Sequence, residues 1–361
     1  MRVALVHDYL NQYGGAERVL EALHDLYPEA PVYTSLYDPR AMPACFHTWD
    51  IRTSFLQRLP TRLSIARLYL AWYPRAFASF DLRGYDLILS SSSAFAKGVI
   101  PPGGARHICY CHNPARFLWN TAAYLEHERG GQLAHVLLRP ILRGLRKWDT
   151  VSNERVDAFV ANSNTVAGRI ARFYGRESTV VHPPAAVTSF PVARDRGTYF
   201  LTGGRLVPHK RFDVAITACT RLGLPLVVYG DGRDRAHLQS LAGPSVQFTG
   251  RVTEERLRAL YLGCQAFVFP SEEDFGITPI EAMACGRPVL AYAAGGALET
   301  VVEGGTGRFF HRQEAEALAE LLAAFRQGDF DPQEIRRHAE QFDTIHFQKQ
   351  IRDFVEEVGD G

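Results

Sequence analysis

Short apolar runs alternate with amphipathic stretches almost from end to end of this chain, and that alternation constrains its fold more than any other feature. The runs fall at residues 3–6, 87–89, 107–110 and 158–161 in the first half. In the second half they fall at 199–202, 226–229, 246–248, 266–269 and 289–291. Each reads as a short buried strand followed by a helix, the pattern of parallel α/β layers. Between the halves, His182-Pro-Pro-Ala-Ala-Val-Thr-Ser-Phe-Pro-Val192 is crowded with proline and reads as a linker. Two doubly wound α/β domains are therefore expected, with ligands at the carboxyl ends of the strands and the site in a cleft between the domains. Past Gly328 two helical stretches close the chain, at roughly 332–341 and 345–358.

Composition narrows the function classes. A chain of 361 residues can house two cores, and a net charge of +1 excludes a strongly basic nucleic-acid binder. Six scattered cysteines fit reduced thiols in a cytosolic protein better than a disulfide framework. Charge interrupts the opening Met1-Arg-Val-Ala-Leu-Val-His-Asp8 too early for a signal peptide, and no apolar run approaches the ~20 residues that span a bilayer. Any membrane contact is expected to be peripheral.

The richest segment runs Phe269-Pro-Ser-Glu-Glu-Asp-Phe-Gly-Ile-Thr-Pro-Ile-Glu281-Ala-Met-Ala-Cys-Gly286. A strand stops at Pro270, and a helix is expected with Thr278 as N-cap and Pro279 in its first position. The amides of Phe275, Gly276, Ile277 and Thr278 would then face the space beyond the strand and favour an anion. Glu273 and Glu281 flank that space, where carboxylates accept from sugar hydroxyls, so the layout fits a sugar bound through a phosphate. Thr278-Pro-Ile-Glu281 also has capping-box spacing, in which Glu281 only satisfies an orphan backbone donor.

Other strand ends carry further candidates. Arg205 and Lys210 follow the glycines of Gly203-Gly-Arg-Leu-Val-Pro-His-Lys210 and would reach the same strand ends as Glu273. A diphosphate needs such cations as its charge builds, although two solvated surface charges fit the same string. Gly14 and Gly15 open the first helix, where paired glycines admit a ligand close to the backbone or simply make a turn. The string is not the G-x-G-x-x-G dinucleotide fingerprint, which lowers a dehydrogenase reading. His112 ends another strand, in Cys109-Tyr-Cys-His-Asn-Pro-Ala-Arg116, and suits either a sugar hydroxyl or a structural role. Asn113 and Arg116 are weaker candidates beside it. A zinc site is disfavoured because Cys109, Cys111 and His112 lack a second ligand pair at the right spacing. The glycine turns Gly230-Asp-Gly232 and Gly250-Arg251-Val252 fit nucleotide contact or tight turns. Asp329-Phe-Asp331 reads as solvated surface, so no essential metal is expected. Arg52, Arg58, Arg62, Arg67 and Arg75, interleaved with Phe55, Tyr69, Trp72 and Tyr73, and the basic residues 139–147 behind apolar 133–138 fit an anionic lipid surface or an ordinary solvated face.

Four of these motifs occur in the order found in glycosyltransferase family four, retaining enzymes of GT-B fold, and the resemblance covers nearly the whole chain. Glu273 to Glu281 is similar to that family's E-x7-E signature, and Glu-Glu-Asp-Phe-Gly-Ile resembles a branch that includes O-antigen mannosyltransferases. Asp274 stands where the family usually has glycine. The resemblance implies two Rossmann-like domains facing across a cleft: residues 1–185 on the acceptor side, joined by a last helix (343–361) that crosses back, and residues 186–342 holding the nucleotide sugar. It implies catalytic parts for Glu273 on the donor sugar, for His112 on the same sugar, and for Arg205 and Lys210 as the diphosphate clamp. Glu281 would hold the ribose, Arg251 and Val252 would meet the base through the main chain, and Gly14 and Gly15 would line the cleft. No cofactor or metal is implied. The substrate would be a sugar nucleotide, with GDP-mannose favoured over a UDP-sugar, and the acceptor a glycan or polyprenyl-linked saccharide in polysaccharide or O-antigen-type synthesis. Front-face attack, with a leaving phosphate oxygen taking the acceptor proton, would need no obligatory general base. The expected place is the cytoplasm, with peripheral contact at the inner face of the membrane. A GT-B-type sugar-nucleotide epimerase and a catalytically silent sugar-nucleotide binder are the alternatives.

Overall fold

Strand β1 (Val3–His7) is buried at every residue, as a central strand covered on both faces must be. A computed structural model describes residues 1–59, 66–119 and 132–360, with side chains for 1–59, 69–119 and 139–359. Beside β1 lie β2 (Val32–Thr34), β3 (Ile51–Thr53), β4 (Leu87–Ser92), β5 (Arg106–Cys111), β6 (Ala158–Ala161) and β7 (Thr179–Val180). They form one seven-stranded sheet in the order β3-β2-β1-β4-β5-β6-β7, parallel throughout. A second parallel sheet runs β10-β9-β8-β11-β12-β13. Its strands are β8 (Tyr199–Arg205), β9 (Leu226–Asp231), β10 (Val246–Gly250), β11 (Cys264–Phe269), β12 (Val289–Tyr292) and β13 (Gly307–Phe310). Both orders are those of doubly wound Rossmann-like domains, in which the winding reverses beside the first strand. The reversal falls between β1 and β4 in one sheet and between β8 and β11 in the other.

The apolar runs account for nine of these strands; β2, β3, β7 and β13 carry no such run. The first three have three residues or fewer, and β3, β7 and β13 are edges whose residues face water in part. An edge strand has no need of a continuous apolar sequence.

The chain divides into two units, Met1–Pro183 with Phe347–Gly361, and Pro184–His346. The return of the last helix, Thr344–Asp360, follows from spacing: Phe347, Ile351 and Val355 share one helical face. They are buried in the same core as Val3, Leu5, Leu20 and Leu23, and Gln348 Nε2 donates to the carbonyl of Ala22 at 3.2 Å. The proline-rich stretch expected as a linker is tied down instead. Ala185 and Val187 are buried in the core of the second unit, and the Thr188 amide donates to Asp343 Oδ2 at 3.0 Å. Among the described residues no helix is long and apolar enough to cross a membrane.

Candidate functional site

In the second unit the loops leaving β8 and β11 meet at the winding reversal. β8 ends at Arg205, whose side chain is exposed, and a short 3-10 turn, Pro208–Lys210, follows. Lys210 Nζ donates to Oε1 of Glu273, and Ser271 Oγ donates to the same oxygen at 3.0 Å. Lys210 and Glu273 keep 21% and 22% of their side-chain surface exposed, so a ligand can reach both. Lys210 therefore touches the Glu273 loop, while Arg205 ends β8, the strand that pairs with β11.

The helix after that loop begins earlier than expected. It spans Ile277–Ala284 with Gly276 as N-cap, which moves Thr278 and Pro279 inside the first turn. Gly276 has φ +91°, and a Cβ there would lie 2.8 Å from the Phe269 ring, so only glycine lets the chain turn this close to the strand. A capping box would place its glutamate three residues beyond the N-cap, where Pro279 stands. Glu281 thus does not stand at the capping-box position. Its carboxylate is buried, with Oε2 accepting from the Tyr261 hydroxyl at 2.9 Å, and that hydroxyl lies 3.1 Å from the Tyr229 hydroxyl. Burial, reinforced by the charge of Glu281, pushes the Tyr261 hydroxyl well above its usual range, so it remains a donor. Phe275 is buried, while Ile277 and Thr278 are half-buried at the helix start. Arg251 is exposed and Val252 half-buried after β10, a sheet edge. With β9 and β8 between β10 and β11, that end lies about three inter-strand steps of ~4.8 Å from the Glu273 loop.

Several parts of the constellation were not singled out from sequence. The amide of Gly296 donates to the carbonyl of Glu273 at 2.9 Å. A Cβ on Gly296 would lie 2.2 Å from Phe275 Cα, and one on Gly295 2.3 Å from the Glu273 carbonyl. The loop after β12 is therefore pressed against the loop after β11. Its signal, a Gly-Gly pair following an apolar strand, was as plain as that of Gly203-Gly204. Arg211, the sole non-glycine at positive φ (52°) among the described residues, holds Asp213 through Nε and Nη2 at 3.0 Å each. Its Nη1 donates to Gln313 Oε1 at 3.1 Å, and Gln313 Nε2 donates to the Pro270 carbonyl at 2.8 Å. This brace joins the Lys210 turn to the Glu273 loop, and nothing local in sequence marks Gln313. The glycines at 230 and 232 are taken up by strand packing: a Cβ on Gly230 would meet the Gly204 carbonyl at 1.8 Å and one on Gly232 the Leu206 carbonyl at 2.1 Å.

The first unit repeats the arrangement at its own reversal. Gly14 is the N-cap of the helix Gly15–Leu26 without a side-chain cap, and Glu17 in the first turn is buried. His7 ends β1, Ser91 lies on β4, and His112 follows β5. The two rings, the hydroxyl and the Glu17 carboxylate lie in sequence: His7 Nε2 is 3.5 Å from Glu17 Oε1, His7 Nδ1 3.0 Å from Ser91 Oγ, and Ser91 Oγ 2.8 Å from His112 Nε2. Asp8 binds the turn after β4, accepting from the amides of Ser93, Ala94, Phe95 and Ala96 at 2.6–2.9 Å. Asn113 is buried and Arg116 exposed.

The remaining candidates have local roles. Asp329 pairs with Arg308 at 3.5 Å, and Asp331 caps the helix Pro332–Glu340 through the Gln333 amide at 2.8 Å. Arg52 is held by Asp50 and by the Tyr33 hydroxyl at 2.8 Å. Arg139, Arg143 and Lys147 are exposed at four-residue spacing on the helix Gln132–Ser152. Arg75 covers the half-exposed Trp72 ring at 5.6 Å, and Phe55 is also exposed. Arg62, together with the side chains of Arg67 and 133–138, lies outside what the structure describes.

Residues 13–188 match the model for Glycosyltransferase Family 4, and residues 189–342 match that for Glycosyl transferases group 1. The chain is 31% identical over 339 residues to a GDP-mannose-dependent alpha-mannosyltransferase of Mycolicibacterium smegmatis, covering 85% of this chain and 84% of that one. It is 30% identical over 288 residues to a D-inositol 3-phosphate glycosyltransferase of Mycobacteroides abscessus, covering 66% and 64%. In fold it is similar to HepE of Anabaena, solved with UDP, at a TM-score of 0.73, 18% identity, and 99% and 100% coverage of the two chains. It is likewise similar to sucrose-phosphate synthase of Thermosynechococcus elongatus, at a TM-score of 0.75, 18% identity and 99% coverage of both chains.

Proposed function

The chain belongs to glycosyltransferase family 4, and from that premise we propose that it moves mannose from GDP-mannose to a glycan or polyprenyl-linked saccharide with retention of configuration. The observation that carries the site reading is the Lys210–Glu273 contact at the end of β11. A cation suited to a diphosphate and a carboxylate suited to sugar hydroxyls meet there, beside the amides that open the helix Ile277–Ala284. In this reading Arg205, Lys210 and the Gly276–Thr278 amides take the diphosphate, Glu273 the sugar and Glu281 the ribose. Arg251 and Val252 meet the base, further along the sheet. Within the first unit, His112, Gly14 and Gly15 are the residues this reading assigns to sugar contact.

Chemically, the cations and helix amides stabilise charge that grows on the leaving diphosphate, which is where most of the barrier is lowered in such transfers. A phosphate oxygen takes the acceptor proton on the same face, so the reaction proceeds without a metal, a cofactor or a dedicated base. GDP-mannose is favoured because the Mycolicibacterium smegmatis relative is named for it, with a UDP-sugar as the second donor. The exposed Arg139, Arg143 and Lys147, with Trp72 and Phe55, favour peripheral contact with an anionic membrane, where a lipid-linked acceptor would lie.

The test combines donor and product. A thermal-shift screen of sugar nucleotides is read first, since ligand at ~100 times its dissociation constant adds about 2.7 kcal/mol of stability. The stabilising donor is then incubated with polyprenyl-linked saccharides, and the anomeric configuration of the product is read by NMR. An inverted product contradicts the retaining mechanism. An altered sugar nucleotide from donor alone points to an epimerase, and binding without turnover to a sensor.

A further inference from the structure

The loop from Pro270 to Glu273 is held at both ends by groups outside it. Gln313 Nε2 donates to the Pro270 carbonyl at 2.8 Å, and the Gly296 amide donates to the Glu273 carbonyl at 2.9 Å. Between these anchors Ser271 is buried, with 1% of its surface exposed. Among the described residues its hydroxyl has one partner, Glu273 Oε1, to which it donates at 3.0 Å. Neither backbone anchor involves that hydroxyl. Oε1 takes a second donor, Lys210 Nζ, from the turn after β8. Lysine offers only donors, so Oε1 is the accepting atom, and two donors fill its lone-pair directions. Among the described residues nothing donates to Oε2, and it is not one of the buried polar atoms that lack a partner. With 22% of the side chain exposed, Oε2 is the oxygen left for a ligand.

We propose that Ser271 is a positioning residue that, together with Lys210, occupies Oε1 of Glu273 and so turns Oε2 to the donor sugar. This inference rests on the proposed reading of Glu273 as the sugar contact. In that reading Lys210 also serves the diphosphate, so its hold on the carboxylate is shared with the ligand. The hold of Ser271 is not shared, because the Glu273 carboxylate is its one partner. Ser271 therefore keeps the carboxylate in register when Lys210 turns to the phosphates, and it acts through Glu273 alone.

Calorimetric titration of the full-length protein with GDP-mannose and with GDP separates a sugar contact from a general effect on the loop. Ser271→Ala is expected to weaken GDP-mannose binding roughly tenfold, in line with the loss of one hydrogen bond to a carboxylate, and to leave GDP within about twofold of wild type. Ser271→Cys, close in size to serine and a weaker donor, replaces Ser271→Ala if that variant fails to fold, with the same split expected. In a Glu273→Ala background, Ser271→Ala is expected to cost no further GDP-mannose affinity, because its one partner is gone. GDP-mannose binding of wild-type strength in the folded Ser271 variant overturns the proposal. Equal weakening of GDP-mannose and GDP also overturns it, since that marks an effect on the loop alone. A further loss in the Glu273→Ala background does the same. If Glu273→Ala itself binds GDP-mannose as tightly as wild type, the reading of Glu273 as the sugar contact fails. If only the Ser271 variant does so, that reading stands and the part given to Ser271 falls.

Discussion

The hydroxyl of Tyr261 donates to Oε2 of Glu281 across 2.9 Å, linking the helix Glu254–Gly263 to the helix Ile277–Ala284 inside the core of the second unit. A buried carboxylate is costly unless its oxygens are met by donors, so this contact satisfies one oxygen of Glu281 and fixes the direction of its side chain. Tyr261→Phe is expected to lower stability by about 1–3 kcal/mol and to weaken nucleotide binding. Glu281→Gln leaves an oxygen for Tyr261 but removes charge-assisted acceptance of the ribose hydroxyls. Its denaturation midpoint should stay near wild type while GDP affinity drops in calorimetry. Unchanged affinity would contradict the ribose role.

Gly296→Ala tests whether the loop after β12 sets the position of Glu273. Its Cβ would fall 2.2 Å from Phe275 Cα, a backbone atom that cannot swing aside. The strain should cost about 1–3 kcal/mol and displace the Glu273–Phe275 segment, so donor KM rises together with the loss of stability. Gly144→Ala, on an exposed helical site with nothing within 4 Å, should leave donor KM unchanged and raise stability by roughly 0.5–1 kcal/mol.

His107 makes the first unit acid-sensitive. Burial pushes its imidazole from 6.5 down to about 4, with the ring held between Ser90 Oγ at 2.8 Å and the Arg155 carbonyl at 2.9 Å. As pH falls from 6.5 to 4 the unfolded chain takes up the proton and the folded chain does not, so stability is lost through that window. The loss levels off on the order of 3 kcal/mol. Urea midpoints across this range should fall for wild type and fall less for His107→Gln; parallel slopes would contradict the assignment.

The basic face predicts salt-dependent membrane contact. Each exposed cation near an anionic surface contributes about 1 kcal/mol, screened by salt. The protein should sediment with anionic vesicles at low ionic strength, release at high salt and ignore neutral vesicles. Arg139→Glu with Arg143→Glu should weaken sedimentation and leave donor binding intact. Failure of wild type to sediment at low salt would make the face ordinary solvated surface.

Much of this architecture was legible because long central strands must be largely apolar, as β1 is except at His7 and β11 except at Gln265. Edge strands β3 and β7 escaped because their residues face water and pair for only two or three positions. The helix start at Ile277 was misplaced for a definite reason. Amides of the first turn have no intrahelical partner, so Pro279 is tolerated anywhere in that turn and does not mark its first residue. What decides the boundary is the contact of Gly276 with Phe269, which no local pattern reveals. The strand-end positions of Arg205, Lys210 and Glu273 were readable from the sequence. Tyr261 and Gln313 were not, since each reaches its partner from a distant segment.

If Lys210 and Glu273 form the heart of a sugar-nucleotide site, donor binding depends on both side chains. Calorimetric titration of GDP-mannose into wild type, Lys210→Ala, Glu273→Gln and the double variant tests it most directly. One saturable site is predicted in wild type. Loss of Lys210 should weaken binding at least tenfold and cut turnover by ~10²–10³, in line with the loss of one donor from a charge-stabilising site. Because the two side chains touch, the double variant should lose less than the sum of the single losses. Binding of wild-type strength in Lys210→Ala, with turnover within threefold of wild type, would contradict the claim.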